Sequence, residues 1–153
     1  MITDFQKVRA DGKVIGEGMT VEQMLALGWT PCKVLDARWR WNEQLFDITN
    51  PLGLLAIVVP DRQWLAVLWN TDESALEADL YVIAGDRSQQ IKIPDQLLIN
   101  GQIEAGIYSW FEYFIHDSAS VFTCMFTRRR DQSLFRVDID AATGTIISIS
   151  PSR

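Results

Sequence analysis

A thiol and an imidazole lie near each other in the sequence, and together they could act as a nucleophile and its base. His116, the only histidine, precedes Cys124 by eight positions. A hairpin could place the two side chains opposite each other, as a cysteine nucleophile requires. Asp117 is badly placed to orient the imidazole, because adjacent residues of a strand point to opposite faces. The neighbours are apolar and nothing suggests an oxyanion hole, so we expect a core cysteine and an exposed turn histidine.

Two short segments have some features of ligand sites, but the first is better explained as a flexible entry to the helix and the second as a hairpin. Gly16–Gly18 lacks the third glycine of a phosphate-cradling turn. The acidic segment Asp138–Thr143 is followed by mostly apolar residues, where a calcium loop would need oxygen ligands. Cys32 and Cys124 belong to neither a Cys-x-x-Cys pair nor a histidine cluster. The sequence therefore predicts no metal, no cofactor, no catalytic residues and no enzymatic activity.

Clusters of charged residues are candidate contacts with a partner. Four carboxylates fall within eight positions of a loop between predicted strands: Asp72, Glu73, Glu77 and Asp79. Such a loop could mask a cationic groove on another protein, although a solvated acidic loop would have the same sequence. The basic run Arg128–Arg130 adjoins an aspartate in an acidic chain, so we interpret it as a solvated turn rather than a phosphate contact.

Six tryptophans give the chain more aromatic mass than a core of this size needs, and two of them alternate with arginines. Trp39 and Trp41 are interleaved with Arg38 and Arg40. Tryptophan and arginine are common anchors of protein interfaces. These four residues therefore join the candidate partner-binding set, with the hydrophobic core as the alternative location of the tryptophans.

The candidate residues must be positioned mainly by β-strands, because apolar residues recur with a period of two along most of the chain. Only Thr20–Leu27 carries helix signals, with an N-cap threonine and a glutamine three residues later. The nearly continuous apolar runs Leu54–Val59 and Trp64–Trp69 predict a hairpin of central strands covered on both faces. The stretch Pro94–Glu104 is expected to be irregular. Phe135–Ile146 resembles the closing hairpin of PepSY-type domains, which implies a hairpin there.

These elements predict a mainly β fold with one short N-terminal helix. Roughly ten strands, joined mostly by hairpin-length loops, indicate a single antiparallel sheet that is strongly curved or folded into a sandwich. The length of 153 residues, with 48% hydrophobic and 22% charged residues, fits a single globular domain over residues 1–153.

The charge of the chain narrows the range of partners. Lys plus Arg is 14 and Asp plus Glu is 20, which gives a net charge of -6. This balance argues against a nucleic-acid or anionic-membrane binder, which would need excess positive charge. No apolar run is long enough for a signal peptide or a membrane span, so a cytoplasmic location is expected.

In general character, a small, acidic, β-rich chain without catalytic residues resembles the immunity proteins with which bacteria neutralise contact-delivered toxins. The resemblance implies a non-enzymatic binding module that occludes another protein, such as a cationic toxin domain. The alternative is a small-molecule-binding protein or enzyme with an aromatic-lined β cavity, using polar groups such as Arg38, Arg40, Tyr108 and His116. The sequence gives no indication of the oligomeric state.

Overall fold

Three antiparallel β-sheets and one short helix make up the part of the chain described by the computed structural model, namely residues 1–28, 32–74 and 76–152. Trp29 lies outside the described residues. The strands are β1 Ile2–Arg9, β2 Val14–Gly16, β3 Val34–Trp41, β4 Gln44–Thr49, β5 Leu54–Val58, β6 Trp64–Asn70, β7 Ala78–Ala84, β8 Gln90–Lys92, β9 Gln96–Ile99, β10 Gln102–Glu112, β11 Val121–Arg128, β12 Leu134–Asp140 and β13 Thr145–Pro151. The strand orders in the three sheets are β2-β1-β3-β4, β5-β6-β7-β8 and β13-β12-β11-β10-β9.

The sheet β5–β8 is the middle layer, because its two faces belong to two different hydrophobic cores. On β6, Ala66 and Leu68 pack with buried residues of the third sheet. Leu65 and Val67, which point the other way, pack with buried residues of the first sheet. This burial on both faces explains why β6 has a nearly continuous apolar sequence. The expectation of a strand covered on both faces is confirmed for β6, whereas β5 lies at the sheet edge and its Leu55 is exposed.

The mainly β, antiparallel character is confirmed, but the expectation of one sheet of about ten strands is wrong. A sheet that buries both faces needs a separate layer on each side, so the strands divide into three sheets. On β3 in the first sheet, the buried Ala37 and Trp39 alternate with the exposed Arg38 and Arg40.

The one helix among the described residues, α1 Val21–Ala26, begins as predicted. The hydroxyl of Thr20 accepts from the Gln23 backbone N–H at 3.1 Å, and the Gln23 side chain accepts from the Thr20 N–H at 2.9 Å. Gly28 follows with φ of +87°, a conformation that suits glycine at a helix end. The capping box therefore fixes the start of α1, which buries none of its residues.

The stretch predicted to be irregular contains a hairpin instead. β9 pairs with the first half of β10, and Asn100 and Gly101 form the turn with φ of 50° and 79°. Positive φ at both central residues is typical of a type I′ turn, for which Asn-Gly is the preferred sequence. β10 is consequently long, and it extends into the segment Trp110–His116 considered below.

Candidate functional site

The predicted acidic contacts lie between β6 and β7 and at the start of β7, and two of them are neutralised within the chain. Arg129 donates to both carboxylate oxygens of Glu77, at 3.0 and 2.7 Å. This hydrogen bonding lowers the pKa of Glu77 and raises that of Arg129. The Asp79 carboxylate lies 3.6 Å from the Lys92 ammonium. These carboxylates are therefore less available to a cationic partner than their sequence suggests.

Asp72 and Glu73 complete this acidic loop, and neither forms an ion pair within the described ranges. The Asp72 carboxylate accepts from the Ser74 hydroxyl at 2.9 Å. Glu73 is exposed, and its backbone carbonyl accepts from the Lys33 ammonium at 2.9 Å. The free negative charge of the acidic loop is thus confined to these two side chains.

The basic run at the end of β11 is an ion-pair cluster. Arg128 donates to Asp131 at 2.9 and 2.6 Å, and this contact holds the pKa of the Asp131 carboxyl well below its usual range. Arg130 donates to Glu104 at 3.0 Å, and the Glu104 side chain is buried. All three guanidinium groups of the run pair with carboxylates of the same chain. The expected solvated turn is therefore also a set of ion pairs.

The two candidate tryptophans of β3 lie on its inward side. Trp39 is 0% exposed, and its indole N–H donates to the Gly85 carbonyl at 2.7 Å. Its ring stacks on Phe46 with centroids 6.0 Å apart. Trp41 is half-buried against the same core. The predicted role of Trp39 as an exposed anchor is therefore wrong, because the alternation of β3 turns its side chain into the core.

Arg38 and Arg40 lie on the outward side of β3, as the alternation predicts. Arg38 donates to Asp36 at 2.8 Å, and Arg40 lies 3.6 Å from the Asp4 carboxylate. A polar groove of about 600 Å³ runs beside both arginines and the turn at Glu17. Their charges are balanced by neighbouring carboxylates, so the groove has no excess positive charge from them.

The candidate nucleophile and base do not meet. Cys124 is fully buried, as expected for a core cysteine, and its Sγ donates to the Trp110 carbonyl at 3.3 Å. Burial raises the pKa of its thiol far above the ordinary value. His116 is partly buried rather than exposed, and its Nε2 lies 3.0 Å from the Thr123 hydroxyl. The imidazole is therefore not hydrogen-bonded to the thiol.

The polar groups of the predicted small-molecule cavity are dispersed over different parts of the fold. Tyr108 lies in the core of the third sheet, with its hydroxyl donating to the Pro94 carbonyl at 2.8 Å. Arg38 and Arg40 belong to the first sheet, whereas His116 follows β10 in the third. Arg38 and Arg40 line one cavity of the described residues and Tyr108 lines another, so the structure does not support this form of the alternative.

The most exposed apolar segment was not singled out from the sequence. Tyr113 is 85% and Ile115 is 91% exposed, while Trp110 is 40% and Phe114 is 39% exposed. We call these four residues the apolar ridge. Five of the six residues from Trp110 to Ile115 are apolar, so they cannot all face one core by alternation. That departure from a period of two is the signal by which the ridge could have been found.

Contacts of Phe114 and His116 hold the end of this segment against the third sheet, and Trp110 makes a local hydrogen bond. The Trp110 indole N–H donates to Glu112 at 2.7 Å. The guanidinium carbon of Arg136 lies 3.7 Å from the centroid of the Phe114 ring. The Thr123 hydroxyl donates to Asp138 at 2.6 Å, so its oxygen accepts from His116. Phe114 and His116 are therefore anchored to residues of β11 and β12.

Hydrogen bonds also stabilise the charged form of Asp138 beneath this segment. Burial disfavours its charge, but hydrogen bonds from Thr123, Arg136 and Ser148 outweigh that effect and lower its pKa. His116 and Arg136 are therefore tied to one ionised carboxylate, directly or through Thr123.

A mainly apolar hollow of about 290 Å³ lies beside the ridge. Tyr113 and Phe114 form part of its wall, and Ile57, Val58 and Phe122 contribute to the rest. The hollow therefore joins the second and third sheets at the surface.

Four carboxylates lie next to the ridge or near the loop that follows it. Glu112 and Asp117 are its neighbours in sequence. The Asp61 backbone N–H donates to the Ala119 carbonyl at 2.9 Å, which places Asp61 beside the loop. Burial raises the pKa of Asp61, and the nearby charge of Asp140 adds to this effect. We call these four carboxylates the carboxylate rim; within the described chain, none of them forms an ion pair.

No group of histidine, cysteine, aspartate or glutamate side chains in the described residues could hold a metal ion. In the same residues, no helix is long and apolar enough to cross a membrane.

Comparisons with known proteins show one close relationship. No family model matches the chain, and no curated protein matches it. A solved structure described as "Structure of Tne2 in complex with Tni2" contains a chain that is similar to this protein, with 67% sequence identity and a TM-score of 0.96. The match covers 100% of this protein and 100% of that one chain. This match is consistent with the general resemblance to immunity proteins. The chain therefore belongs to the same family as a protein of the Tne2–Tni2 complex.

Proposed function

We propose that the protein is an immunity-type inhibitor with the same role as Tni2, and that it binds a toxin similar to Tne2. The observation that carries this proposal is the full-length match to a chain solved in a two-protein complex. The general resemblance of the sequence to immunity proteins favours the Tni2 role over the Tne2 role.

The geometry supports a role in binding rather than in catalysis. The only histidine and the buried thiol are bound to separate partners, and the basic run is paired with carboxylates. A protein without a reaction centre can neutralise another protein by occlusion, in which it covers the surface that the other protein uses. The net charge of -6 favours a toxin whose covered surface is cationic.

The acidic loop has a place in this proposal as a steering element. Asp72 and Glu73 are its carboxylates without an ion pair in the described chain. Charges at the margin of an interface act mainly on the association rate, since they attract the partner before contact.

Binding to each protein of the solved complex tests the proposal. The purified chain is mixed separately with purified Tne2 and purified Tni2, and complexes are detected by calorimetry and size-exclusion chromatography. We expect binding to Tne2, displacement of Tni2 from Tne2, and no binding to Tni2. Binding to Tni2 alone would mean that the chain has the role of Tne2, and would overturn the immunity assignment. Failure to protect cells that produce Tne2, despite binding, would overturn the inhibitory role.

A further inference from the structure

We propose that the apolar ridge and its neighbouring hollow are the centre of the surface that holds the partner protein. The partner is inferred to present apolar side chains surrounded by cationic groups. This inference rests on the proposed function and adds to it the location and chemistry of the interface.

The exposure of the ridge is the first argument. A single exposed apolar side chain is ordinary, but four within six positions form a patch, and such patches commonly mark interaction sites. Tyr113 and Trp110 are of the types that contribute most to binding energy at protein interfaces. Tyr113 and Ile115 have most of their surface still available to a partner.

The ordered backing of the ridge is the second argument. Arg136 packs against the Phe114 ring, and His116 is hydrogen-bonded to Thr123. These contacts fix the segment on the third sheet before any partner arrives. A preordered contact segment loses less conformational entropy on binding, so more of its buried apolar area contributes to affinity. His116 is thus a positioning residue for the ridge.

The hollow allows this surface both to insert side chains into a partner and to receive a side chain from it. Tyr113 and Ile115 project outward, while the cavity of about 290 Å³ beside Phe114 can receive an apolar side chain. Interfaces with well-packed centres combine projecting anchors with pockets of this kind.

Charge identifies the kind of partner. The carboxylate rim has no ion pair in the described chain, in contrast to Glu77 and Asp79 of the acidic loop. A partner with lysine or arginine around an apolar centre would pair with the rim. The acidic loop contacts Arg129, which lies four residues beyond Met125, the strand partner of Trp110, and therefore about 13 Å from that end of the ridge at about 3.3 Å per strand residue. The acidic loop would therefore lie toward the margin of an interface centred on the ridge.

Truncation of the ridge is the first test, with Tne2 as the probe. We expect Tyr113→Ala and Ile115→Ala each to raise the Kd about tenfold or more, mainly through faster dissociation. The matched control is Leu98→Ala with Ile103→Ala, because these side chains are 63% and 66% exposed and pair across strands of the same sheet. The control should change the Kd less than about threefold, and circular dichroism should show all variants folded.

Neutralisation of the rim is the second test. Glu112→Gln with Asp117→Asn should lower the association rate about threefold or more at low salt, and the difference should shrink as salt is added. Glu43→Gln with Asp95→Asn changes the net charge equally at carboxylates that form no ion pair in the described chain, and should have a smaller effect.

Each outcome decides a separate point. If the wild type binds Tne2 and the ridge variants bind as tightly, the inference is overturned while the proposed function stands. Equal loss of affinity in the Leu98 and Ile103 control would likewise overturn the specific role of the ridge. If Tyr113→Ala instead dissociates a homodimer without weakening Tne2 binding, the ridge joins two copies of this chain and the inference is wrong. If the wild type does not bind Tne2, the proposed function fails, and the inference fails with it.

Discussion

Truncation of Trp39 should destabilise the fold and leave the binding surface intact. Its side chain is fully buried between the first and second sheets, and its N–H bonds to the Gly85 carbonyl at 2.7 Å. Loss of a buried tryptophan ring costs about 3–5 kcal/mol in Trp→Ala substitutions. The unpaired Gly85 carbonyl adds about 1–3 kcal/mol when no water replaces the donor. We therefore expect Trp39→Ala to lower the free energy of unfolding by about 5 kcal/mol.

Trp39→Phe separates the two contributions. It keeps most of the ring and removes the hydrogen bond, so it should cost about 1–3 kcal/mol. Urea unfolding followed by circular dichroism measures both variants. The control is Arg40→Ala on the outward side of the same strand, which should cost less than about 1 kcal/mol. If Trp39→Ala costs less than about 1 kcal/mol but weakens Tne2 binding, Trp39 is an interface anchor and its assignment to the core is refuted.

Four further predictions concern charge, packing and pH. Asp72→Lys with Glu73→Lys should slow association with Tne2 and weaken its salt dependence without changing the urea midpoint; unchanged rates at low salt would remove the acidic loop from the interface. Cys124→Ser should cost about 1–3 kcal/mol of stability and keep Tne2 binding, whereas loss of function in a folded variant would revive the nucleophile hypothesis. Gly106→Ala should lower stability by about 1–3 kcal/mol in urea unfolding, because its Cβ would lie 2.5 Å from a ring atom and a carbonyl of β11. The pKa of Asp138 is lower in the folded protein than its ordinary value of 3.8, so its ionised carboxylate stabilises the fold at pH values above 3.8. This stabilisation is lost as the pH falls through the folded-state pKa, so acid titration should destabilise Asp138→Asn less than the wild type.

Local signals in the sequence predicted local structure well. The capping box at Thr20 and the final hairpin at Gly144 both depend on residues within a few positions of each other, and both are present. The Asn100-Gly101 turn belongs to the same class and could have been predicted from its dipeptide alone.

The packing of one sheet on another is harder to predict from the sequence. The runs in β5 and β6 indicate burial on both faces, but they do not reveal which strands cover each face. The inward direction of Trp39 depends on the same pairing, because alternation separates two faces without saying which one meets a core. The sequence does not indicate the ridge for a related reason. Phe111 and Phe114 are both phenylalanines, but only Phe111 packs against the core.

The position of the middle sheet also has a consequence for synthesis of the chain. Strands β1–β4 precede β5–β8, and β9–β13 come last, so the layers emerge from the ribosome in their spatial order. When Lys92 has been added, one face of the middle sheet can already pack on the first layer. The other face, which includes Leu80 and Val82, has no cover until β10–β12 follow. Nascent chains of this intermediate length therefore expose a hydrophobic sheet face, which is a feature that makes folding intermediates prone to aggregation.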